Sequence, residues 1–284
     1  MNKIVNIIDV TARDGLQNLG KIISTNNKIE LINRLSNCGF KHIEVGSHVN
    51  PKLIQMADSL QVYDKIEKRN NVKYTMLIPN YKKFKEIEHG KISSISTITA
   101  TSESFVRKNM NSDIKTSLID IEQINNNRLI NPFLLRVYIS CCFGCPFEGE
   151  INLDKLKYIL QNLPNNIDEL VLSDTIGSIT ITKLEIILDM INNLNLANEK
   201  ITLHIHCSDD KIESVIDTSL KYDIMNFDVS LSKLGGCPSA GKIINYNMSA
   251  IKVVEYLEYL GYTTGIDRDK LINTEDWLNR IIKE

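Results

Sequence analysis

His204 and His206 stand two positions apart in the apolar run Ile201–His206. Side chains on a strand alternate between its faces, so positions i and i+2 point the same way. Two imidazoles placed like this can share one cation. The competing reading is one core histidine and one loop histidine. Asp14 is the natural anionic ligand to complete such a site, because acidic and imidazole donors together suit a divalent ion. Its neighbour Arg13 carries a charge that is costly to bury without a partner. The pair is either a loop cap or, at the mouth of a pocket, a cation placed to stabilise an oxyanion or enolate. Glu44 and Asp174 either orient these groups or cap loops.

Eight short runs rich in β-branched residues carry these groups. They lie near Ile4–Val10, His42–Gly46, Lys73–Ile78, Ser94–Ala100, Leu134–Ser140, Glu169–Ser173, Ile201–His206 and Asn226–Leu231. A helical pattern follows each: 27–38, 51–68, 81–89, 114–126, 153–162, 182–193, 211–222 and 245–261, with a further helix over 268–282. Eight strands alternating with eight helices predict an α/β fold, a (β/α)8 TIM barrel with an extra C-terminal helix. No linker rich in Pro, Gly or Ser divides the chain, so residues 1–284 read as one domain. In such a barrel the chemistry sits at the C-terminal strand ends. Polar groups end six of them: Arg13-Asp14, Glu44, Ser140-Cys141-Cys142, Ser173-Asp174, His204-Ile-His206 and Gly235-Gly236-Cys237-Pro238. A doubly wound sheet would show a glycine-rich phosphate turn, and neither G-x-G-x-x-G nor a P-loop is present.

Composition narrows the function classes. The 284 residues include 33 Lys and Arg against 35 Asp and Glu, a formal net charge of -2. No global basic field invites nucleic acid or an anionic membrane. No apolar run approaches the roughly 20 residues of a membrane span. The first strand-like run begins almost at Met1, so no targeting segment is expected and the expected compartment is the cytoplasm. Six Cys in such a chain are expected as free thiols. Cys142-x-x-Cys145 has no second pair to complete a zinc site. Cys237 sits in a paired-glycine loop that could bring a thiol to a ligand, although composition alone does not make it catalytic.

The chain resembles the 3-hydroxy-3-methylglutaryl-CoA (HMG-CoA) lyase family of metal-dependent barrel lyases over nearly its whole length. The resemblance rests on Arg13-Asp-Gly-Leu-Gln-Asn18, Ile43-Glu44 with Ser47 and Pro51-Lys52, and Gln55-Met-Ala-Asp58. It continues in Lys108-Asn109, Tyr138 to Gly149, Asp174-Thr-Ile-Gly177, His204-x-His206 and Leu234-Gly-Gly-Cys-Pro238. The Tyr138–Gly149 segment and the Gly-Gly-Cys-Pro loop are the parts specific to the lyase branch.

The resemblance implies a retro-Claisen lyase that splits 3-hydroxy-3-methylglutaryl-CoA, or a related 3-hydroxyacyl-CoA, into acetyl-CoA and a keto acid. It implies a divalent metal, Mg2+ or Mn2+, on Asp14, His204, His206 and Asn247, with Asn245 the alternative to Asn247. It gives Arg13 the enolate charge and Cys237 a proton-transfer role. Asp174, Glu44 and Gln17 then set geometry, and Asn279 and Arg280 face the CoA. The implied partner is a small acyl-CoA substrate, with a homo-oligomer, a dimer by analogy, and neither nucleic acid nor membrane. The chain departs from the family at Cys207, His48 and Ile251, the last standing where the family carries a Glu. Two rival readings are a related barrel synthase or aldolase (isopropylmalate or homocitrate synthase-like, hydroxy-oxo-acid aldolase) and a catalytically weakened metabolite-binding barrel.

Overall fold

A computed structural model describes residues 3–88, 90–236 and 246–284. Eight parallel strands close on themselves: β1 (Asn6–Asp9), β2 (His42–Ser47), β3 (Lys73–Leu77), β4 (Ser94–Ala100), β5 (Leu134–Ser140), β6 (Glu169–Asp174), β7 (Ile201–Cys207) and β8 (Asn226–Val229). Each pairs with the next, β8 pairs back onto β1, and the β6–β7 ladder runs from Leu170↔Ile201 to Asp174↔Ile205. The helices are α1 (Thr25–Cys38), α2 (Ser59–Lys65), α3 (Tyr81–Phe84), α4 (Glu103–Met110), α5 (Ile114–Asn126), α6 (Leu153–Asn162), α7 (Ile181–Asn193), α8 (Asp209–Lys221), α9 (Ala250–Tyr259) and α10 (Arg268–Lys283). The fold is a (β/α)8 TIM barrel, and α10 is its extra C-terminal helix.

The strands are buried on both faces, as parallel strands covered by helices must be. On β7, Leu203 and Ile205 join the apolar core. The alternate residues His204 and Thr202 meet groups of other strands. His204 stacks edge-on against Tyr138 of β5 at 5.5 Å, and Thr202 bonds Glu169 of β6. The helix ends follow local chemistry. Ser24 caps α1 through Asn27 N, and Gly39 ends it at φ 106°.

Three expected helices are cut differently, each for a local reason. Residues 51–68 do not form one helix. Pro51-Lys52 lies in a turn, a 3-10 turn spans Ile54–Met56, and α2 starts only at Ser59. The break is held from α1: the Lys28 ammonium bonds Gln55 O and Asp58, and Thr25 bonds Asp58 as well. Helix α3 stops at Phe84, where the chain tightens into i→i+3 bonds at Glu86 and Ile87; His89 lies outside the described residues. Residues 245–261 contain a strand before the helix. Tyr246–Asn247 form β9, antiparallel to β7, and Ser249 caps α9 through Lys252 N. Helix α4 was not legible in the sequence: it is short, carries few apolar residues and is capped by Ser102.

Candidate metal and catalytic site

A single π-helical turn, Thr11–Gly15, follows β1, with Gly15 N donating to Val10 O at 3.1 Å. Such i→i+5 turns are rare and concentrate at functional sites. This one carries Arg13 and Asp14 into the barrel mouth, both nearly sealed from solvent.

Asp14, His204 and His206 offer ligand atoms that all lie within 4.8 Å of one another. Asp14 Oδ2 is 3.6 Å from His206 Nε2 and 3.9 Å from His204 Nε2, beyond hydrogen-bond reach. Neither ring nitrogen of His206 has a partner at bonding distance. Asn247 stands opposite His206 in the β7–β9 register and donates Nδ2 to Asp14 Oδ2 at 2.7 Å, leaving its Oδ1 unpartnered. Burial works against the Asp14 carboxylate, but Arg13 and the two imidazoles hold its pKa well below the usual range. Burial pulls the His206 imidazolium down, and the Asp14 and Asp174 carboxylates more than offset it, so its pKa is raised. A carboxylate, an imidazole with no hydrogen-bond partner and a buried, unpartnered amide oxygen gathered at one point fit a divalent cation.

The cluster is held from below. Asp228 of β8 accepts from His204 Nδ1 at 2.9 Å and from the Tyr138 hydroxyl at 3.0 Å. Burial opposes its charge, yet Arg136 and His204 lower its pKa to about 2. Asp228 is therefore a carboxylate that only accepts, and the His204 proton sits on Nδ1, leaving Nε2 free to ligate. Arg136 of β5 bonds Asp228 from the opposite side of the barrel interior. Arg13 donates Nε to Glu44 at 2.6 Å and Nη1 to Asp14 Oδ1 at 2.8 Å. Its Nη2 is buried and makes no hydrogen bond. Arg13 and Arg136 both lie over the Tyr138 ring, at 5.0 and 4.9 Å.

The structure thus brings Arg13, Asp14, Glu44, His204, His206 and Asn247 together. Glu44 is fully buried and anchors Arg13. Asp174 takes the loop-capping option: it accepts from Ser178 N at 3.0 Å and Ile179 N at 2.9 Å, while its charge is felt at His206. Gln17 follows the π-helical turn, half-buried and without a hydrogen-bond partner among the described residues. Asn279 and Arg280 ride on α10, which starts beside the end of α1 (Asp267 N to Cys38 O) and ends beside the loop after the π-helical turn (Lys21 to Ile281 O). They stand at the mouth end of the barrel. Cys237 and Asn245 lie outside the described residues. Cys142 and Cys145 are free thiols with separate partners, Ile139 O and Ser102 Oγ. Sequence reasoning missed Asp228, Arg136 and any role for Tyr138. The available signal was a charged residue in mid-strand, at period-2 spacing from another polar one: Asn226-Phe-Asp228 and Arg136-Val-Tyr138.

Residues 4–277 match the HMGL-like family model. The chain belongs to the HMGL-like family. A hydroxymethylglutaryl-CoA lyase of Bacillus subtilis is 33% identical over 97% of this chain and 92% of its own length. A 3-hydroxy-3-isohexenylglutaryl-CoA/hydroxy-methylglutaryl-CoA lyase of Pseudomonas aeruginosa is 33% identical over 95% of this chain and 90% of its own. Among HMGL-like structures, the B. subtilis HMG-CoA lyase superposes with a TM-score of 0.93 at 31% identity, covering 99% of this chain and 95% of that one. An Acinetobacter baumannii HMG-CoA lyase, solved with coenzyme A and 3-methylmalate, superposes with a TM-score of 0.91 at 27% identity, covering 99% and 92%. These HMGL-like relatives are carbon-carbon lyases by name. Among the described residues no helix is long and apolar enough to cross a membrane.

Proposed function

We propose that this chain is a divalent-metal-dependent lyase that cleaves 3-hydroxy-3-methylglutaryl-CoA, or a close 3-hydroxyacyl-CoA, to acetyl-CoA and acetoacetate or its homologue. The observation that carries the reading is the juxtaposition of a buried Asp-His-His-Asn cluster with a buried, unpartnered Arg13 N–H. Asp14, His204, His206 and Asn247 would hold Mg2+ or Mn2+. Asn247 would serve through Oδ1 after a half-turn of its amide. When bound, the ion supplies Lewis acidity, polarising the substrate oxygens and easing loss of the alcohol proton.

The chain's own residues then divide the work. Loss of that proton lets the tertiary alkoxide become a ketone, and the carbon-carbon bond breaks. Its electron pair moves into the thioester, giving the enolate of acetyl-CoA. Arg13 Nη2 is the donor for the enolate oxygen, and Glu44 keeps the guanidinium turned so that this edge stays free. The Tyr138 ring lies under both the Arg13 and the Arg136 guanidinium groups. Cys237 is assigned the proton that quenches the enolate, on the strength of its Gly-Gly-Cys-Pro loop. Asn279 and Arg280 are assigned to the CoA from their place at the mouth.

A coupled acetoacetate assay with Mn2+, and with a chelator, tests the reading. Cleavage that depends on metal is the expected result. Metal-induced thermal stabilisation with no cleavage of any short 3-hydroxyacyl-CoA would overturn the lyase and leave a metabolite-binding barrel. Ile251, where the family's Glu would sit, makes that assay necessary.

A further inference from the structure

Beside the metal cluster, the wall of the barrel mouth carries a buried hydroxyl that the fold does not use. Ser173, on β6, is 4% exposed, and its Oγ has no hydrogen-bond partner. It pairs in register with His204 on β7, and paired residues of parallel strands about 4.8 Å apart project to the same face. The His204 ring lies inside the barrel, bonded to Asp228 and edge-on to Tyr138, so the Ser173 side chain points inside as well. Two residues back along β6, Val171 pairs with Tyr138, which sets Ser173 one layer nearer the mouth than that ring. Ser140 and Ala100 continue the Ser173 row on β5 and β4, and their small side chains leave room beside the hydroxyl.

Arg13 Nη2 and Asn247 Oδ1, which the lyase reading uses, are buried and unpartnered in the same way. A buried hydroxyl without an acceptor costs stability, and a ligand that brings the acceptor removes that cost. The ring of strands tells which part of the ligand reaches it. Glu44, which anchors Arg13, is on β2, and β2 and β6 stand four places apart in the eight-strand ring, on opposite walls. With the C3 oxygen of a 3-hydroxy-3-methylglutaryl thioester at the metal cluster and the thioester oxygen at Arg13, the second arm of the glutaryl chain runs from C3 towards the other wall. That arm ends in a carboxylate. A buried carboxylate needs donors, and a hydroxyl gives it a short, charge-assisted bond.

We propose that Ser173 is a specificity-determining residue, whose Oγ–H donates to the terminal carboxylate of the substrate, the group that leaves with the keto acid. The inference rests on the lyase reading. A site built to hydrogen-bond a group rejects the analogue that lacks it, because its own polar atom is then left unpaired. The hydroxyl therefore selects thioesters whose second arm ends in an oxyanion over those whose arm is a plain alkyl chain. Ser173→Ala removes the donor and keeps the small side chain in the strand.

The wild type and Ser173→Ala, both loaded with Mn2+, are compared on two thioesters. One is 3-hydroxy-3-methylglutaryl-CoA; the other is 3-hydroxy-3-methylpentanoyl-CoA, with a methyl group where the carboxylate stands. Dissociation constants come from calorimetry and kcat/KM from acetyl-CoA release. Ser173→Ala should bind and cleave the glutaryl thioester more weakly by a factor of about ten or more, and bind the pentanoyl thioester within about two-fold of wild type. Its Mn2+ affinity should be unchanged, and its thermal midpoint without thioester should rise by about 2 °C or more, because an unpaired hydroxyl has gone. The proposal is overturned if the variant loses both thioesters equally, if it binds the glutaryl thioester like the wild type, or if the wild type does not distinguish the two. A fall in Mn2+ affinity or in the thermal midpoint overturns it too, since the hydroxyl would then serve His204 or the fold. A wild type that cleaves neither thioester overturns the lyase reading, and the dissociation constants still decide on Ser173.

Discussion

His206 and Asn247 face each other in the two-residue antiparallel pairing of β7 with β9. Side chains opposite one another in such a ladder project to the same side. The pairing therefore sets an imidazole and an amide side by side over Asp14, although the residues are distant in sequence. The backbone, rather than a flexible loop, fixes the fourth candidate ligand. Asn247→Ala should weaken Mn2+ binding by an order of magnitude or more while leaving the β7–β9 pairing in place. Electron paramagnetic resonance of free Mn2+ measures this without substrate. An unchanged affinity would remove Asn247 from the ligand set.

Gly235 makes that arrangement possible. Its φ is +95°, and a Cβ there would overlap Asn247 Nδ2 and come within 2.7 Å of Asp14 Oδ2. The loop from β8 crosses the ligand cluster at the only residue type without a side chain. Gly235→Ala should retain the barrel, seen as an unchanged far-UV circular dichroism spectrum, and lose Mn2+ binding. Normal Mn2+ binding in this variant would mean that the loop crosses elsewhere.

Arg13 is bound by Glu44 and Asp14 through two nitrogens and keeps the third free. A lysine can supply the charge but not three donors fixed in one plane. Arg13→Lys should leave Mn2+ affinity within a few-fold of wild type and lower kcat by about 10²–10³-fold, the range for removing one oriented donor to a developing oxyanion. A kcat near wild type would show that the free N–H has no part in stabilising the enolate.

The sequence made the barrel and half of the site readable, and the reason is geometric. The strands are short β-branched runs, and His204-x-His206 declares its common face through the two-residue period alone. Asn247 entered the ligand set only through the family resemblance, because the apolar periodicity that defines α9 runs back across it and reads it as helical. Only its pairing with β7 makes it a strand residue. Asp228 and Arg136 escaped for a different reason. Each is a lone charge within its strand, and their partnership crosses the barrel interior, where no local pattern can announce it. Lys28 broke the expected 51–68 helix in the same way, by reaching it from α1.

Asp9 gives the fold a pH signature of its own. Its carboxylate is fully buried and accepts from Thr11 N at 2.9 Å and Thr11 Oγ1 at 2.8 Å. Burial outweighs those bonds and, with Asp228 nearby, pushes its pKa up to about 7 from the ordinary 3.8. The unfolded chain releases this proton near the ordinary value, whereas the folded chain keeps it until neutrality. Between those limits the folded state binds more protons, so this group's contribution to stability falls as pH rises, by on the order of a few kcal/mol in total. Asp9→Asn keeps an acceptor for Thr11 N and cannot ionise. Urea unfolding from pH 4 to pH 8 should therefore show the variant gaining on the wild type as pH increases, with the difference levelling off above pH 7. Parallel profiles for the two proteins would mean that Asp9 titrates alike in the folded and unfolded chains.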